Sequence, residues 1–298
     1  MCRQNMDFLT SAEAAGYLRM KERKLYELVA ERALPCTKVT GRWLFPKADL
    51  DRWVLSGLQR PDGLVPAEPM PIVGGSHDPL LEWALRESGA GLAVLAEGSE
   101  RGLARFQAGE LTAAAIHLHR LDDREADANV ETMRTRGSLH DAVLIGFIRR
   151  EQGLVTAKGN PMRLRSIADA AARSARIAQR PEGAGAQLLL LALIHHSGVK
   201  AETLKQGPLC QTGSDLAQAI FAGRADCGVA SRSVAGAAGL DFVPIVWERF
   251  DLVVRQREYF RPALQKLFGF MRTPAFAHRA NEMTGYDTSG SGAVRYVA

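Results

Sequence analysis

The sequence predicts an α/β protein of two units in succession along its 298 residues: a small helical module carrying a hairpin, then a larger α/β domain of alternating strands and helices. Three observations predict this. Before residue 57, apolar residues recur at helical spacing in short segments broken by Gly and Pro. From residue 71 onward, short apolar runs alternate with amphipathic segments, as in folds built from strand–helix–strand units around a parallel sheet. Between the two, Ser56–Pro71 gathers Gly57, Pro61, Gly63, Pro66, Pro69 and Pro71, the composition of an extended linker. The expected boundaries are 1–57, a linker at 58–70, and 71–298.

Composition limits the classes of function. The chain is 46% hydrophobic and 24% charged, ordinary for a globular protein and incompatible with disorder throughout. The longest apolar run, Leu188 to Ile194, is far too short to span a bilayer. Met1–Asp7 has no apolar core of a signal peptide, so the chain is expected in the cytoplasm. Cys2, Cys36, Cys210 and Cys227 stand far apart with no CxxC pair, so reduced thiols are expected rather than a zinc knuckle or a disulfide framework. Charge is uneven. Residues 1–60 hold eleven Lys and Arg against seven Asp and Glu, which is four of the five net positive charges of the chain. A basic module ahead of a nearly neutral body points to nucleic acid contact at the N-terminus.

In that module, Thr10-Ser11-Ala12-Glu13 reads as a capping box opening a helix over about 11–18, with Ala14, Ala15 and Leu18 on one face. After a tight turn at Arg19-Met20, a second helix over about 21–32 turns Leu25, Leu28 and Val29 inward and Lys21, Arg23, Lys24, Tyr26 and Glu27 outward. Pro35 is expected to end it. Thr37–Val39 and Arg42–Phe45 read as a hairpin around Thr40-Gly41, and Lys47–Val54 as a last helix. Trp43 and Trp53 are expected in the core. This order is that of a winged helix-turn-helix. The segment resembles the excisionase/MerR-like helix-turn-helix family, through Phe8-Leu9-Thr10, Ala14-Ala15, Leu18, Tyr26, Gly41–Phe45, Asp49-Leu50 and Trp53. The resemblance implies that the second helix enters the major groove, with Lys21, Arg23, Lys24 and Tyr26 as contacts and Arg42 on a phosphate or in the minor groove.

In the larger domain, strands are expected at Ile72–Gly75, Leu92–Leu95 and Ala113–His119, with helices at Pro79–Glu87 and Gly102–Ala108 between them. Val143–Arg149 and Leu154–Ala157 read as two further strands, as do Phe242–Val246 and Phe250–Val254, with short strands at Arg176–Ala178 and Cys227–Val229. Helices are expected at Ile167–Ala172, Gln187–His196, Ser214–Phe221 and Pro262–Phe270, with a loose Gly/Ser-rich tail from about Asn281. The domain is similar to the periplasmic-binding-protein-like domains of cytoplasmic regulators, of the molybdate-binding-protein-like kind. The matching words are Gly74–Pro79, Glu97-Gly98-Ser99 with Gly102-Leu103, Arg180–Gln187, Gly223–Gly228, and Phe242–Pro244 with Glu248–Leu252. The resemblance implies an α/β, bilobed, type II binding-protein fold with its second lobe at roughly 145–248. Where that family shows a Ser-Gly-Thr-Arg-like run, this chain has Gly183-Ala184-Gly185-Ala186-Gln187.

Ligands of open α/β sheets sit at the carboxyl ends of strands, where helix N-termini offer free N–H groups. Ser76, His77 and Asp78 precede one helix, Ser99 another, and Gly183, Ala184 and Gly185 a third. With Gln187 and Asp226 from the matching words, these are the candidate ligand residues. Ser76 and Ser99 can equally be helix caps, and the glycines can equally serve a turn. His117 and His119, two apart on a strand, have a metal-compatible spacing but no third ligand is evident, so no metal site is expected. No GxSxG, P-loop, HExxH or dinucleotide fingerprint occurs, and no catalytic residue is assigned. The expected function is a ligand-responsive transcriptional regulator that binds double-stranded DNA as a homodimer and senses a small anion, molybdate or tungstate. It is expected to have no resident cofactor and no membrane partner. The alternatives are a DNA-bending recombination accessory factor and a regulator of an organic ligand.

Overall fold

The computed structural model describes residues 7–56, 68–119, 127–139 and 141–298. The chain divides into two compact units, Met1–Leu64 and Val65–Ala298. Most of the expected linker, 57–67, lies outside the described residues.

In the first unit β1 (Phe8–Leu9) leads into α1 (Ser11–Tyr17), α2 (Glu22–Ala30), β2 (Phe45–Pro46) and α3 (Lys47–Ser56). The capping box forms: Thr10 N–H donates to Glu13 Oε2 at 2.8 Å, and Glu13 N–H donates to Thr10 Oγ1 at 3.4 Å. Ala14, Ala15, Leu25, Leu34, Phe45 and Leu50 make the core, with Trp43 and Trp53 packed against it. Two details differ from the sequence reading. α2 ends at Ala30, where Arg32 turns left-handed at φ +54°, well before Pro35. The wing is not a two-stranded hairpin. Only Thr37 and Leu44 pair, through two backbone bonds of 2.9 Å, while Phe45–Pro46 pairs antiparallel with Phe8–Leu9. Phe45 is fully buried in the core of the module, and its backbone pairs with Leu9 of the N-terminal strand instead of with the wing.

The second unit contains β3 (Met70–Gly75), α4 (Pro79–Glu87), β4 (Ala93–Ala96), α5 (Ser99–Gln107), β5 (Leu111–Ile116), α6 (Ala128–Thr135) and β6 (Ala142–Thr156). There follow α7 (Ile167–Ala172), β7 (Arg176–Gln179), α8 (Gly185–Ser197), β8 (Lys205–Leu209), α9 (Gly213–Phe221), β9 (Cys227–Ser231), α10 (Arg232–Ala237) and β10 (Asp241–Arg255). The unit ends with α11 (Gln256–Tyr259), α12 (Pro262–Phe270), α13 (Pro274–Met283), β11 (Tyr286–Asp287) and β12 (Val294–Val297). One sheet runs β4-β3-β5-β10-β6-β9-β7-β8. β3, β4 and β5 are mutually parallel, as are β7, β8 and β9, and each trio belongs to one lobe.

The four strands expected at 143–157 and 242–254 are in fact two. β6 and β10 run unbroken for 15 residues each and pair antiparallel from Ala142↔Arg255 to Thr156↔Asp241. The break expected between Arg149 and Leu154 is absent: the ladder runs through Glu151–Gly153, and Gly153 packs so closely under Val243 and Phe242 that a side chain has no room. One half of this ribbon pairs with β5 and the other with β9, so β6 and β10 belong to both lobes. β8 had no signal in the sequence: Lys205–Leu209 is a mostly exposed edge strand with Gly and Pro inside it. The tail is not loose. α13 packs into the first lobe, and β11 and β12 pair with the first half of β6, closing an edge that would otherwise stay unpaired.

Each lobe's share of the sheet is sandwiched between two apolar clusters. In the first lobe Phe147 on β6 meets Phe250 on β10 and Phe276 on α13, with ring centroids 5.9 and 5.5 Å away. All three rings are fully buried. Phe276→Ala is therefore expected to lower the unfolding free energy by ~3–5 kcal/mol, read from urea denaturation at an unchanged m-value. A loss below ~1 kcal/mol would show that α13 is not part of the core.

Candidate ligand-binding site

Between the lobes of the second unit lies a small cleft. Ser76, His77, Gly98 and His117 line it from the first lobe, Arg180, Ala184–Ala186, Gln211, Gly213 and Ser231 from the second, and Arg150 and Gln152 from β6. The cavity measures about 30 Å³, room for about two waters. The lobes touch along it. Glu100 N–H donates to Gly183 O at 3.3 Å, and a Cβ on Gly185 would stand 2.1 Å from the His117 carbonyl oxygen.

The floor is a buried charge cluster. Arg150 Nε donates to Glu248 Oε1 at 2.6 Å and Nη1 to Asp78 Oδ2 at 2.7 Å. All three residues are at most 5% exposed. Gln152 Nε2 donates to Glu248 Oε1 at 2.9 Å. Burial alone would depress the Arg150 guanidinium, but the charges of Glu248 and Asp78 override it and hold it above its ordinary value. Burial alone would also raise the Glu248 carboxyl; the positive charge of Arg150 and the contacts with the two histidines outweigh it and bring the carboxyl well below its usual range. His117 is itself pushed down to about 4, because burial penalises its charged form more than Glu248 rewards it. Its imidazole is therefore neutral near pH 7, and Arg150 is the cation that keeps Glu248 ionised. Asp78 also caps α4, accepting from Leu80 N–H at 2.8 Å, and receives the Tyr286 hydroxyl at 3.3 Å. The tail strand β11 thus reaches the cleft floor.

The candidate residues from the sequence divide into two groups. Ser76, His77, Ala184 and Gly185 line the cavity. Ser99 and Asp78 stand behind it: Ser99 Oγ lies 2.7 Å from Ser76 Oγ and accepts from His117 N–H at 3.1 Å, and Asp78 is spent on Arg150 and α4. Gly183 turns at φ +74° against Glu100 where the lobes meet. Gln187 holds the Gln179–Gln187 loop, accepting from Arg180 N–H at 2.8 Å and donating to Gln179 Oε1 at 3.0 Å. Asp226 is elsewhere. It precedes β9 at the amino end of the parallel strands, where its carboxylate pairs with Arg176 at 2.7 Å. The cleft opens at their carboxyl ends, so Asp226 secures the far end of the lobe.

Sequence reasoning missed Arg180, Arg150, Gln152 and Glu248. Arg180 stands in the segment noted for its glycines. Its guanidinium, half-buried, donates to the carbonyls of Cys210 at 3.0 Å and Gln211 at 2.9 Å, and it makes no ion pair among the described residues. Burial and the charge of Arg150 lower it to about 10. Arg180 thus brings a guanidinium to the cavity although the 183–187 run contains none. Behind it, α8 and α9 begin at Gly185 and Gly213, presenting first-turn N–H groups to the same cavity. Among the described residues no carboxylate lines the cavity, whereas two arginines do.

On the first unit, Lys21, Arg23, Lys24, Tyr26 and Arg42 are all exposed. Arg23 and Lys24 each lie 3.3 Å from Glu27, one turn along α2, and the Arg23 side chain is 91% exposed. Such pairs contribute little and open readily to a phosphate.

A family model described as a PBP superfamily domain matches residues 82–272, and one described as a helix-turn-helix domain matches 8–57. The chain is 24% identical over 305 residues to the uncharacterized protein YvgK of Bacillus subtilis, covering 96% of each. Among solved structures it is similar to a putative phosphate ABC transporter substrate-binding protein with bound phosphate from Clostridium perfringens, at TM-score 0.53 and 13% identity, covering 71% of this chain and 96% of that one. It is also similar to a tungstate ABC transporter protein from Geobacter sulfurreducens, at TM-score 0.51 and 14% identity, covering 74% and 100%. These likenesses establish the fold.

Gly185→Ala places a methyl against the His117 backbone, which a side-chain rotation does not relieve. The lobes are expected to part, raising the radius of gyration in small-angle scattering and costing ~1–3 kcal/mol of stability. An unchanged scattering profile and melting temperature would show that this contact does not hold the lobes together.

Proposed function

The chain belongs to the PBP superfamily, and on that premise we propose that it is a DNA-binding regulator whose C-terminal unit senses a small, fully deprotonated oxyanion, molybdate or tungstate. A helix-turn-helix domain joined to a PBP-like domain fits a ligand-responsive DNA-binding regulator and suggests a regulator rather than an enzyme.

One observation carries the anion reading: Arg180 enters a cavity lined by no carboxylate among the described residues, beside the N-termini of α8 and α9. A guanidinium without a counter-ion, two helix dipoles and the Ser76 hydroxyl make a site of donors, and a small anion completes it. The cavity volume restricts that anion to a few heavy atoms. The donor set favours a particular protonation state. Phosphate keeps at least one proton near neutral pH and needs an acceptor for it, whereas molybdate, tungstate and sulfate carry none. The cavity's charged groups offer no such acceptor. The choice of molybdate and tungstate over sulfate rests on the resemblance of the domain to molybdate-binding-protein-like domains.

The ligand acts on DNA binding by favouring one lobe arrangement over another, and the coupling equals its difference in affinity for the two. A single module of this size reads one half-site, so the regulator works as a homodimer on a two-fold operator in the cytoplasm.

Thermal denaturation of the full chain with molybdate, tungstate, sulfate and phosphate tests the reading. Saturation at about 100 times the dissociation constant adds roughly 2.7 kcal/mol, a rise of about 5–10 °C for a domain of this size. Molybdate and tungstate are expected to give it, and Arg180→Ala to lose about 10- to 100-fold in affinity. A response only to phosphate, or to none of the four, overturns the oxyanion assignment in favour of another ligand. For the N-terminal unit, Arg23→Ala and Lys24→Ala are each expected to weaken operator binding and to reduce the slope of log affinity against log salt by about one, leaving anion binding intact. Unchanged operator affinity in both variants would remove α2 from the DNA interface.

A further inference from the structure

Beyond the anion, we propose that His117, His119 and Glu248 bind one divalent transition ion of the zinc type at the inner end of the cleft. The inference rests on these side chains alone and does not depend on the oxyanion reading. His117 and His119 follow the carboxyl end of β5, and Glu248 lies on β10. His117 Nδ1 is 3.0 Å from Glu248 Oε1, and His119 Nε2 is 2.7 Å from Glu248 Oε2. The three ligand atoms all lie within 4.8 Å of one another, and among the described residues no other group of three His, Cys, Asp or Glu converges in this way. Two imidazoles and one carboxylate suit zinc and its first-row neighbours, and not magnesium or calcium.

Three further features favour a metal over a simple hydrogen-bonded cluster. His117 Nδ1 is buried, lies 3.0 Å from Glu248 Oε1 and has no well-formed hydrogen bond. A buried imidazole nitrogen set beside a carboxylate without a well-formed hydrogen bond is an arrangement that a cation between the two would complete. Glu248 is already oriented from behind: Arg150 and Gln152 both donate to Oε1, leaving Oε2 toward His119. Such outer contacts fix a ligand's direction and are usual at metal sites. The charges also permit it. Asp78, Glu248 and Arg150 together carry one net negative charge, so a divalent ion leaves the cluster at one positive. His119 is the most exposed of the three, at 16% for its side chain, and gives the ion a way in.

The probe is the metal alone, added to the full chain after treatment with a chelator. Zinc titration calorimetry is expected to give one strong site per chain. Cobalt is expected to show visible ligand-field bands without the near-ultraviolet thiolate band that Cys36, Cys210 or Cys227 would produce. His119→Ala and Glu248→Gln are each expected to lower the affinity at least about 100-fold, while His195→Ala, in the exposed pair at the end of α8, leaves it unchanged. Should His119→Ala or Glu248→Gln fail to fold by circular dichroism, His119→Gln, which can keep a hydrogen bond to Glu248, replaces it. The absence of a strong site in the parent chain, a thiolate band, or undiminished binding in the folded His119 variant each overturns the proposal.

Discussion

Arg150, buried between Asp78 and Glu248, is the interaction on which the second unit turns. Enclosing a guanidinium with two carboxylates costs solvation on all sides, so the cluster's net contribution to stability is modest, while leaving any member unpaired costs about 3–5 kcal/mol. The cluster therefore acts mainly as a constraint on position. Arg150 is on β6, Glu248 on β10 and Asp78 at the start of α4, so one side chain sets the register of the crossover ribbon against the first-lobe helix. Tyr286 joins Asp78 to Ser233 of the second lobe through hydrogen bonds of 3.3 and 2.7 Å. The C-terminal tail is thereby part of the same arrangement.

That arrangement determines the polarity of the cleft. Asp78 and Glu248 face inward to Arg150, and so the cavity is lined by arginines, amides and hydroxyls, without a carboxylate among the described residues. Arg180, braced on two backbone carbonyls, keeps its charge directed at the cavity. Under the proposed reading, selectivity for a fully deprotonated anion follows from what is missing as much as from what is present, since a bound proton finds no charged acceptor. Glycines complete the closure. At Gly185 and Gly183 the lobes approach so closely that a Cβ would meet the opposite backbone or Glu100.

Local structure could be read from the sequence where the interactions span three or four residues. Thr10 with Glu13 is one case, and the helix expected at Pro79–Glu87 is another. Ile167–Ala172 and Pro262–Phe270 form the helices their pattern predicts. The reading failed where a long-range partner decides the outcome. Gly153 looks like part of a break between strands until Val243 lies above it, and the Gly/Ser-rich tail looks loose until β6 offers it an edge. Lys205–Leu209 becomes a strand only because β7 stands beside it.

By itself the sequence determined the two-part organisation, the basic helix of the first unit, and the loops that meet at the cleft: 76–78, 98–99 and 183–185. Those follow from periodicity, capping and glycine placement, which act within a few residues. Only the tertiary structure decided what those loops enclose. Glu248 meets Arg150 across 98 positions and His119 across 129, and Arg150 meets Asp78 across 72. A contact between residues so far apart leaves no spacing pattern in the chain. It exists because the pairing of β6 with β10 carries those side chains to one point.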